Sequence, residues 1–475
     1  MCAAKKTASP AVAAKVAVIG GGWAGCAAAV ELAGQGAHVT LFESSRTLGG
    51  RARAVEVQGR LLDNGQHILL GAYDATLALL ARVGVDPAGA LLRLPLQMRY
   101  PPNSGALDFV AARLPAPWHM IVALVRATGL AREDKLALAQ LFTGLRWMGW
   151  RLDQDVSVST LLERYGQTPR LARLMWHPLC LAALNTPPER ASANVFMATL
   201  RDSLGARRAA SDMLLPRLEL SALFPRAAAR YIESHGGVVK TGAKAGALAR
   251  APGGWEVEGG GGPGERFDAV VLATPPAAAA ALLAPHAEAG ALAAQLDAFQ
   301  HEPIATCYLQ YDADTRLPLP FCALLDEPGA NRFGQFVFDR GQLDPGQAGL
   351  LAVVISAASE AAALDQDGLA RLVAAQLAGA FADPRLAAPL WSRVITEKRA
   401  TFACSPGLVR PPNLTPLPGL VLAGDYTASD YPATLESAVR SGQAAAKAIL
   451  AGDRLPPQNS SLSHAAGDAP AGSVR

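Results

Sequence analysis

A glycine-rich turn between a short apolar segment and a helical one constrains this chain more than any other feature. The apolar run at residues 16–19 is typical of a buried strand, and the turn at residues 20–25 follows it at once. A helix is predicted over 26–33 and a second strand over 38–42. A strand, a glycine turn, a helix and a second strand within ~30 residues predict a β-α-β dinucleotide-binding unit.

Each glycine of the pattern Gly20-x-Gly22-x-x-Gly25 has a mechanical role in such a unit. The first permits the sharp turn, the second lets the backbone approach a pyrophosphate, and the third lets helix and strand pack closely. Trp23 and Ala24 stand at the start of the helix, where free backbone N–H groups and the helix dipole favour a phosphate. These five residues are the predicted pyrophosphate cradle.

Glu43 ends the second predicted strand, where a carboxylate can accept hydrogen bonds from a ribose diol. A glycine turn in some other α/β fold is the alternative. Because strand, helix, second strand and terminal acid all occur in order, the dinucleotide interpretation is favoured. The unit alone does not decide between NAD and FAD.

The composition bounds the class of protein. The chain has 475 residues, enough for two or three domains at ~150 residues each, and 51% of them are hydrophobic, which excludes a disordered chain. The 43 basic and 40 acidic residues leave a net charge of +3, so a nucleic-acid partner is not expected. The mean hydropathy is +0.18, yet no apolar run approaches the ~20 residues of a membrane span. An apolar surface that touches lipid without crossing it is compatible with both facts.

The six cysteines form no C-x-x-C pair and the eight histidines form no metal-binding spacing, so we expect neither a metal site nor a disulfide framework. A reducing compartment follows, and with it a cytoplasmic protein that can lie peripherally on the inner face of the cytoplasmic membrane. Residues 1–14 are interpreted as a flexible arm and residues 454–475 as a flexible polar tail.

The rest of the chain alternates between helical and strand-like segments. Residues 76–215 are predicted to be mostly helical, and a helix is predicted over 434–450. Strands are predicted over 237–239, 255–257, 269–272, 306–311, 335–338, 350–355, 394–398 and 420–423, and a surface turn over 259–264. The predicted fold is α/β: a discontinuous Rossmann-like domain (15–75, 216–275 and 400–453) with an inserted α+β substrate domain (76–215 and 276–399).

Two further motifs identify the dinucleotide. The sequence Leu48-Gly49-Gly50-Arg51-Ala52 resembles the glycine-doublet motif of the amine oxidase and phytoene desaturase flavoproteins. In that superfamily, the glycine backbone and the arginine lie against the pyrophosphate and flavin of FAD. The resemblance therefore implies that Gly49, Gly50 and Arg51 bind FAD.

The segment from Gly424 and Asp425 to the helix starting near Thr434 resembles the closing motif of the same superfamily. The resemblance implies that the aspartate contacts the ribityl-phosphate portion and that the helix points its N-terminus at the flavin. A helix cap or a turn acid is the alternative for Asp425. Ala245 stands where these proteins give backbone bonds to the adenine, with a simple core strand as its alternative.

Outside the cofactor motifs, residues 63–73, 176–186 and 424–434 are similar to the hydroxysqualene dehydroxylase family of hopanoid-producing bacteria. This resemblance implies reductive removal of the allylic hydroxyl of hydroxysqualene to give squalene, with reduced FAD supplying the hydride. An electron donor must then reduce the FAD. A carotenoid-type desaturase, which runs the opposite redox direction, and a flavin-binding membrane scaffold without turnover are the alternatives.

Removal of a hydroxyl needs an acid, because hydroxide is a poor leaving group. His67, in a polar segment soon after the glycine doublet, is the first candidate, and a structural histidine is the alternative. Tyr431 and Asp430, from the closing loop, are the next candidates, although capping of the following helix is the favoured role of Asp430. Residues 113–151 mix apolar and aromatic residues with arginines, which predicts either a membrane-facing surface or ordinary core helices.

Overall fold

The computed structural model describes residues 14–452 except residues 103, 105, 205, 206 and 260–263. Residues 1–13 of the predicted arm, the predicted tail and most of the predicted turn at 259–264 lie outside the described residues. The strands, numbered along the chain, are β1 (Lys15–Ile19), β2 (His38–Glu43), β3 (Ala54–Val57), β4 (Arg60–Asp63), β5 (Leu69–Leu70), β6 (Leu91–Leu94), β7 (Gln97–Arg99), β8 (Asp108–Val110), β9 (Met213–Pro216), β10 (Val238–Thr241), β11 (Ala245–Ala251), β12 (Gly254–Gly259), β13 (Glu265–Phe267), β14 (Ala269–Leu272), β15 (His301–Gln310), β16 (Phe321–Ala323), β17 (Phe336–Asp339), β18 (Leu350–Ile355), β19 (Trp391–Phe402) and β20 (Leu420–Leu422).

The helices connect these strands and make up most of the segment between β5 and β9. In the same numbering they are α1 (Trp23–Gly34), α2 (Asp74–Arg82), α3 (Pro87–Ala90), α4 (Trp118–Arg126), α5 (Arg132–Trp147), α6 (Val158–Arg164), α7 (Pro169–Leu171), α8 (His177–Leu184), α9 (Ala193–Leu204), α10 (Arg208–Ser211), α11 (Leu220–Leu223), α12 (Pro225–Ser234), α13 (Pro276–Leu283), α14 (Gly290–Asp297), α15 (Gln366–Phe381) and α16 (Leu435–Ala451). None of the helices in the described part of the chain is both long and apolar enough to cross a membrane.

A parallel sheet of order β10-β2-β1-β14-β20 carries the glycine turn. Its inner strands are apolar and buried, as expected for a parallel sheet covered on both faces. Helix α16 packs closely on α1, since a Cβ placed on Gly442 would lie 2.2 Å from the carbonyl oxygen of Ala24. The predicted β-α-β unit is confirmed, and the five strands come from the three segments assigned to the Rossmann-like domain. The exact domain boundaries stay a prediction.

An antiparallel sheet of order β16-β17-β18-β15-β19 forms the second layer. One face packs on α15 through Ala305, Cys307 and Leu309. The opposite face carries Tyr308 and Phe336, which belong to the same apolar core as side chains of α5, α8 and α9. The sheet therefore forms an apolar layer beneath the helical segment.

The segment 76–215 is less uniformly helical than predicted. It also contains β6, β7, β8 and β9, and β9 pairs with both β5 and β6. These strands have only three or four residues each, too few for a clear periodicity, and the partner of β6 lies more than 100 residues away. Tertiary pairing decides their conformation.

Candidate active site

The glycine turn has the geometry that close packing requires at two of its positions. Gly20 has φ +107°, and a Cβ there would lie 2.4 Å from the carbonyl oxygen of Ala273. A Cβ on Gly25 would lie 1.9 Å from the carbonyl oxygen of Gly20. Both positions therefore exclude any side chain for reasons of packing.

Gly22 differs from these two glycines, because a side chain at this position would enter open space and would not collide with the protein. Among the described residues, the nearest atom to a Cβ placed there is the Cα of Gly50, at 4.0 Å. Gly49 reaches the same turn, and its N–H donates to the carbonyl oxygen of Gly21 at 2.8 Å. The glycine turn and the glycine doublet thus line one opening with backbone alone, which a side chain at position 22 would fill.

Helix α1 begins at this opening and supplies donors to it. Gly22 is the N-cap residue and offers no side chain to cap the first turn, so the N–H groups of Trp23 and Ala24 are available to an anion. The indole of Trp23 points elsewhere: its Nε1 donates to the carbonyl oxygen of Ala52 at 3.0 Å, and its ring packs on Phe224. The side chain of Trp23 therefore belongs to the core, and the binding of a phosphate by its backbone N–H stays a prediction.

Two observations show that this region fits a dinucleotide. The opening at Gly22 is bounded by backbone, as a pyrophosphate requires. In addition, the hydroxyl of Thr274, two residues beyond β14, is buried without a hydrogen-bond partner among the described residues. Gly20 packs against the backbone of this same segment: a Cβ on Gly20 would lie 3.1 Å from the backbone nitrogen of Thr274.

Glu43 is buried at the end of β2, next to the turn. Its Oε2 accepts from the N–H of Gly21 at 2.7 Å, and its Oε1 accepts from the N–H of Ser45 at 2.7 Å. The hydroxyl of Ser44 also donates to Oε1 at 3.3 Å. Oε2 therefore keeps a further lone pair, which a ribose hydroxyl could use. The carbonyl oxygen of Glu43 accepts from the N–H of Ala243, two residues before Ala245. Ala245 is buried where β11 begins, and its predicted adenine contact stays a prediction.

Arg51 and Asp425 bring the second and third motifs together. The Nη2 of Arg51 lies 2.7 Å from the Oδ1 of Asp425, and its Nη1 donates to the carbonyl oxygen of Ala400 at 2.6 Å. Asn64 donates to the carbonyl oxygen of Arg51 at 3.2 Å and to Glu397 at 3.3 Å. Asp425 is buried, so this ion pair fixes the closing segment against the glycine doublet.

Neither aspartate of the closing segment caps α16. The cap is Thr434, whose hydroxyl accepts from the N–H of Ser437 at 3.1 Å. Asp425 is engaged with Arg51, and Asp430 is exposed. The capping alternatives for these two residues are therefore wrong, because threonine at the helix start already satisfies the free N–H group.

Arg410 shapes the closing segment, and the sequence analysis missed it. Its guanidinium donates to the main-chain carbonyl oxygens of the loop 425–431, and its face packs on the ring of Phe402 at 4.9 Å. The acceptors are Asp425 (2.9 Å), Tyr426 (3.4 Å), Thr427, Ser429 (3.0 Å) and Tyr431 (2.6 Å). No motif contains Arg410, and five converging carbonyls are visible only in three dimensions.

His67 is partly buried, and its Nδ1 lies 2.9 Å from the carbonyl oxygen of Gly65. Because a carbonyl can only accept, Nδ1 carries the hydrogen and Nε2 presents a lone pair. Burial lowers the pKa of His67, and the positive charge of Arg51 lowers it further. His67 is therefore neutral at neutral pH, with Nε2 as an acceptor.

His301, at the start of β15, is a second histidine near Arg51 and Asp425. Burial lowers the pKa of His301, and the charges of Arg51 and Arg399 add to the effect. His301 is near these residues only because β15 begins beside them, and no pattern in the sequence predicts that placement.

The tyrosines of the closing loop differ in their surroundings. The hydroxyl of Tyr431 donates to Asp202, which also accepts from the Nε of Arg201 at 2.6 Å. Burial and this hydrogen bond raise the pKa of Tyr431 to about 12, so it stays protonated. Tyr426 is fully buried, and its hydroxyl has no hydrogen-bond partner among the described residues. The hydroxyl of Tyr431 is thus already hydrogen-bonded, whereas that of Tyr426 has no partner within the described part of the chain.

The segment that carries His67 is anchored on the second sheet. The hydroxyl of Tyr308 donates to the carbonyl oxygen of Asp63 at 2.7 Å and accepts from Gln66 at 2.9 Å. Asp63 in turn accepts from the N–H of Leu220 at 2.7 Å, and burial raises the pKa of its carboxyl to about 6. These contacts hold the segment 63–67 between the two layers.

Comparison with known proteins identifies the family to which this chain belongs. Residues 23–450 match the sequence model of the family described as flavin containing amine oxidoreductase. The hydroxysqualene dehydroxylase of Rhodopseudomonas palustris is 30% identical over 455 residues, which cover 92% of this chain and 98% of that protein. The hydroxysqualene dehydroxylase of Sinorhizobium fredii is 29% identical over 91% of this chain and 97% of that protein. The zeta-carotene desaturase of Synechocystis sp. is 25% identical over 92% and 97%.

Solved structures agree in fold. An oxidoreductase from Methanosarcina mazei has a TM-score of 0.69 at 17% identity and covers 91% of this chain and 100% of its own. Cyclohexylamine oxidase from Brevibacterium oxydans has a TM-score of 0.63 at 18% identity and covers 92% and 99%. At such identities the likeness concerns the fold alone, and it confirms the predicted fold class.

Proposed function

Since the chain belongs to the family of flavin-containing amine oxidoreductases, we propose that it is an FAD-dependent hydroxysqualene dehydroxylase. This enzyme would remove the hydroxyl of hydroxysqualene reductively and release squalene, a precursor of hopanoids. Near full-length similarity to proteins of that name carries the proposal. Two observations support it: the glycine turn and the glycine doublet line one opening, and the closing segment is tied to the doublet through Arg51 and Asp425.

Residues of all three motifs are proposed to hold the FAD. The turn from Gly20 to Gly25 and the doublet Gly49-Gly50 would cradle the pyrophosphate, and Glu43 would accept from the ribose. Arg51, Asp425 and the start of α16 at Thr434 would face the remainder of the cofactor. When bound, reduced FAD supplies the hydride that replaces the hydroxyl.

The substrate oxygen must take up a proton while the C–O bond breaks, so that it leaves as water. His67 is our proposed proton donor. It is neutral in the free protein, so the proton must reach Nε2 before the bond breaks. Tyr431 and Asp430 remain second candidates. The hydroxyl of Tyr431 already donates a hydrogen bond to Asp202, and the side chain of Asp430 is exposed to solvent.

Water must be kept from the reacting carbon, because it would recapture an allylic cation. The face of the second sheet that carries Phe336 packs against an apolar core that includes Trp176 and Phe196. This layer would accommodate a hydrocarbon chain and exclude water. The desaturase alternative is favoured less, because over 92% of this chain the zeta-carotene desaturase of Synechocystis sp. is 25% identical and the hydroxysqualene dehydroxylase of Rhodopseudomonas palustris 30%.

The helices α4 and α5 are the proposed contact with the membrane. Trp118, Val125 and Trp147 expose 60%, 69% and 88% of their surface. Exposed arginines lie near the ends of these helices, at positions 126, 132 and 146, and in the adjoining loops, at positions 113 and 151. Apolar side chains in the lipid with guanidinium groups at the phosphates would hold the protein where an insoluble substrate resides.

Product analysis tests the proposed function. Reduced holoenzyme would be incubated with hydroxysqualene without oxygen, and the lipids analysed by mass spectrometry. We expect squalene as the product. Recovery of unchanged hydroxysqualene, or formation of more unsaturated products by the oxidised enzyme, would contradict the proposal.

A further inference from the structure

Thr306 is a hydroxyl residue in an apolar row of the second sheet. It lies in the middle of β15, opposite Val354 on β18 and Ile395 on β19. Phe336 on β17 continues the row beyond Val354. Because directly paired residues share a face, Thr306 is flanked on both sides by hydrocarbon.

The hydroxyl of Thr306 has no protein partner to explain it. Its Oγ1 is fully buried and makes no hydrogen bond within the described part of the chain. Buried hydroxyls are nearly always hydrogen-bonded, since an unpaired one retains its full desolvation cost. Ala305 and Cys307 pack toward α15, so Thr306 faces the opposite side, with Tyr308.

That side is the one that carries His67. A Cβ placed on Gly65 would lie 3.7 Å from the Oγ1 of Thr306 and 4.0 Å from the Cε1 of His67. One point in space is therefore close to both side chains. A glycine at position 65 leaves this point free of a side chain.

We infer that Thr306 recognises the hydroxyl of the lipid substrate, an inference that rests on the proposed function. The hydroxyl of Thr306 can donate to the substrate oxygen, and the substrate hydroxyl can donate to the Nε2 of neutral His67. A donor and an acceptor thus face one hydroxyl group. Squalene has no hydroxyl and cannot form either bond, so the product is held less tightly than the substrate.

Binding to the oxidised holoenzyme tests this inference without turnover. Hydroxysqualene and squalene, each in detergent micelles, would be titrated while the change in flavin absorbance is followed. We expect the wild type to bind hydroxysqualene more tightly than squalene. Thr306→Val should reduce this preference roughly three- to tenfold, the effect of one neutral hydrogen bond. Thr306→Ser keeps the hydroxyl and should keep the preference.

The outcomes separate this inference from the proposed function. A wild type without preference, or a Thr306→Val variant that retains it, would overturn the role of Thr306 even if squalene is the product. Weaker FAD binding or an altered resting flavin spectrum in Thr306→Val would also overturn it, because the hydroxyl would then face the cofactor. If Thr306→Val does not fold, Thr306→Ala serves in its place. Failure to form squalene while the preference is lost in the variant would contradict the proposed reaction alone.

Discussion

The guanidinium of Arg51 lies 2.7 Å from the carboxylate of Asp425, although the two residues are 374 positions apart in the chain. Arg51 follows the glycine doublet, and Asp425 belongs to the closing segment. Their ion pair joins the first and the last segment of the discontinuous cofactor domain, which the intervening residues separate in sequence. The structure thus relates two motifs that the sequence presents separately.

Replacement of Gly22 should abolish cofactor binding and leave the fold intact. Because a Cβ there meets open space bounded by Gly50, Gly22→Val should fold but fill the pyrophosphate cradle. We expect near wild-type Tm for the apoprotein and loss of the bound flavin, measured by absorbance per mole of protein. Gly290→Ala, in α14 with no neighbour within 4 Å among the described residues, is the control that should keep flavin. Gly22→Val with full flavin content would show that the cradle is elsewhere.

Arg410 should be required for the order of the closing loop. Replacing it with Met removes the donors to five carbonyl oxygens, and Lys offers only a point charge with three donors. We expect Arg410→Met to lower the free energy of unfolding by about 2 kcal/mol or more and to weaken FAD binding, with Arg410→Lys between it and wild type. Urea unfolding and flavin titration measure both effects. Exposed Arg399→Met is the matched control, and equal behaviour of the two variants would refute this role.

If His67 donates the proton, the rate of the reaction should rise as the pH falls. Its pKa is lowered by burial and by Arg51, so the protonated donor becomes populated only as the pH falls below the ordinary value of 6.5. The single-turnover rate of flavin oxidation by hydroxysqualene should rise as the pH falls from 8 to about 5.5. His67→Gln should keep its flavin, lose this rise and be slower by ~10²–10⁴-fold at the low end.

An unchanged pH profile in His67→Gln would move the donor to another residue. Tyr431→Phe and Asp430→Asn would then be examined in the same way. A His67→Gln variant that loses flavin or fails to fold would instead support the structural alternative for this histidine.

The proposed membrane contact would depend on exposed apolar side chains of α4. Replacing Trp118 and Ile121 with Ser should reduce co-sedimentation with anionic liposomes and leave the flavin content intact, because both side chains are exposed. Leu390→Ser, at a residue that is 69% exposed elsewhere on the protein, controls for a general loss of apolar surface. Equal co-sedimentation of the two variants would count against α4 as the contact.

The cofactor domain could be predicted from sequence because its signals are local. Gly20, Gly22 and Gly25 stand at fixed spacing within one strand-turn-helix unit, and each spacing has a mechanical reason. The cap of α16 is an exception: capping is predicted for Asp430, although Thr434, a threonine at the helix start, is the cap in the structure.

The residues that sequence reasoning missed depend on tertiary placement. Arg410 acts through carbonyl oxygens, which every residue possesses, so no pattern of side chains reveals it. Thr306 and His301 are ordinary members of β15 until the register of the second sheet is known. Charge pairing such as that of Arg51 with Asp425 was likewise invisible, since neither residue indicates its partner.

Anaerobic stopped-flow measurement in D₂O tests the central claim most directly. Reduced holoenzyme would be mixed with hydroxysqualene, flavin reoxidation followed by absorbance, and the squalene analysed for deuterium. Because the hydride position of reduced flavin exchanges with solvent, we predict one squalene with one deuterium for each flavin reoxidised. Squalene itself should leave the flavin reduced. Flavin that stays reduced with hydroxysqualene, or squalene formed without deuterium, would contradict reductive dehydroxylation by this protein.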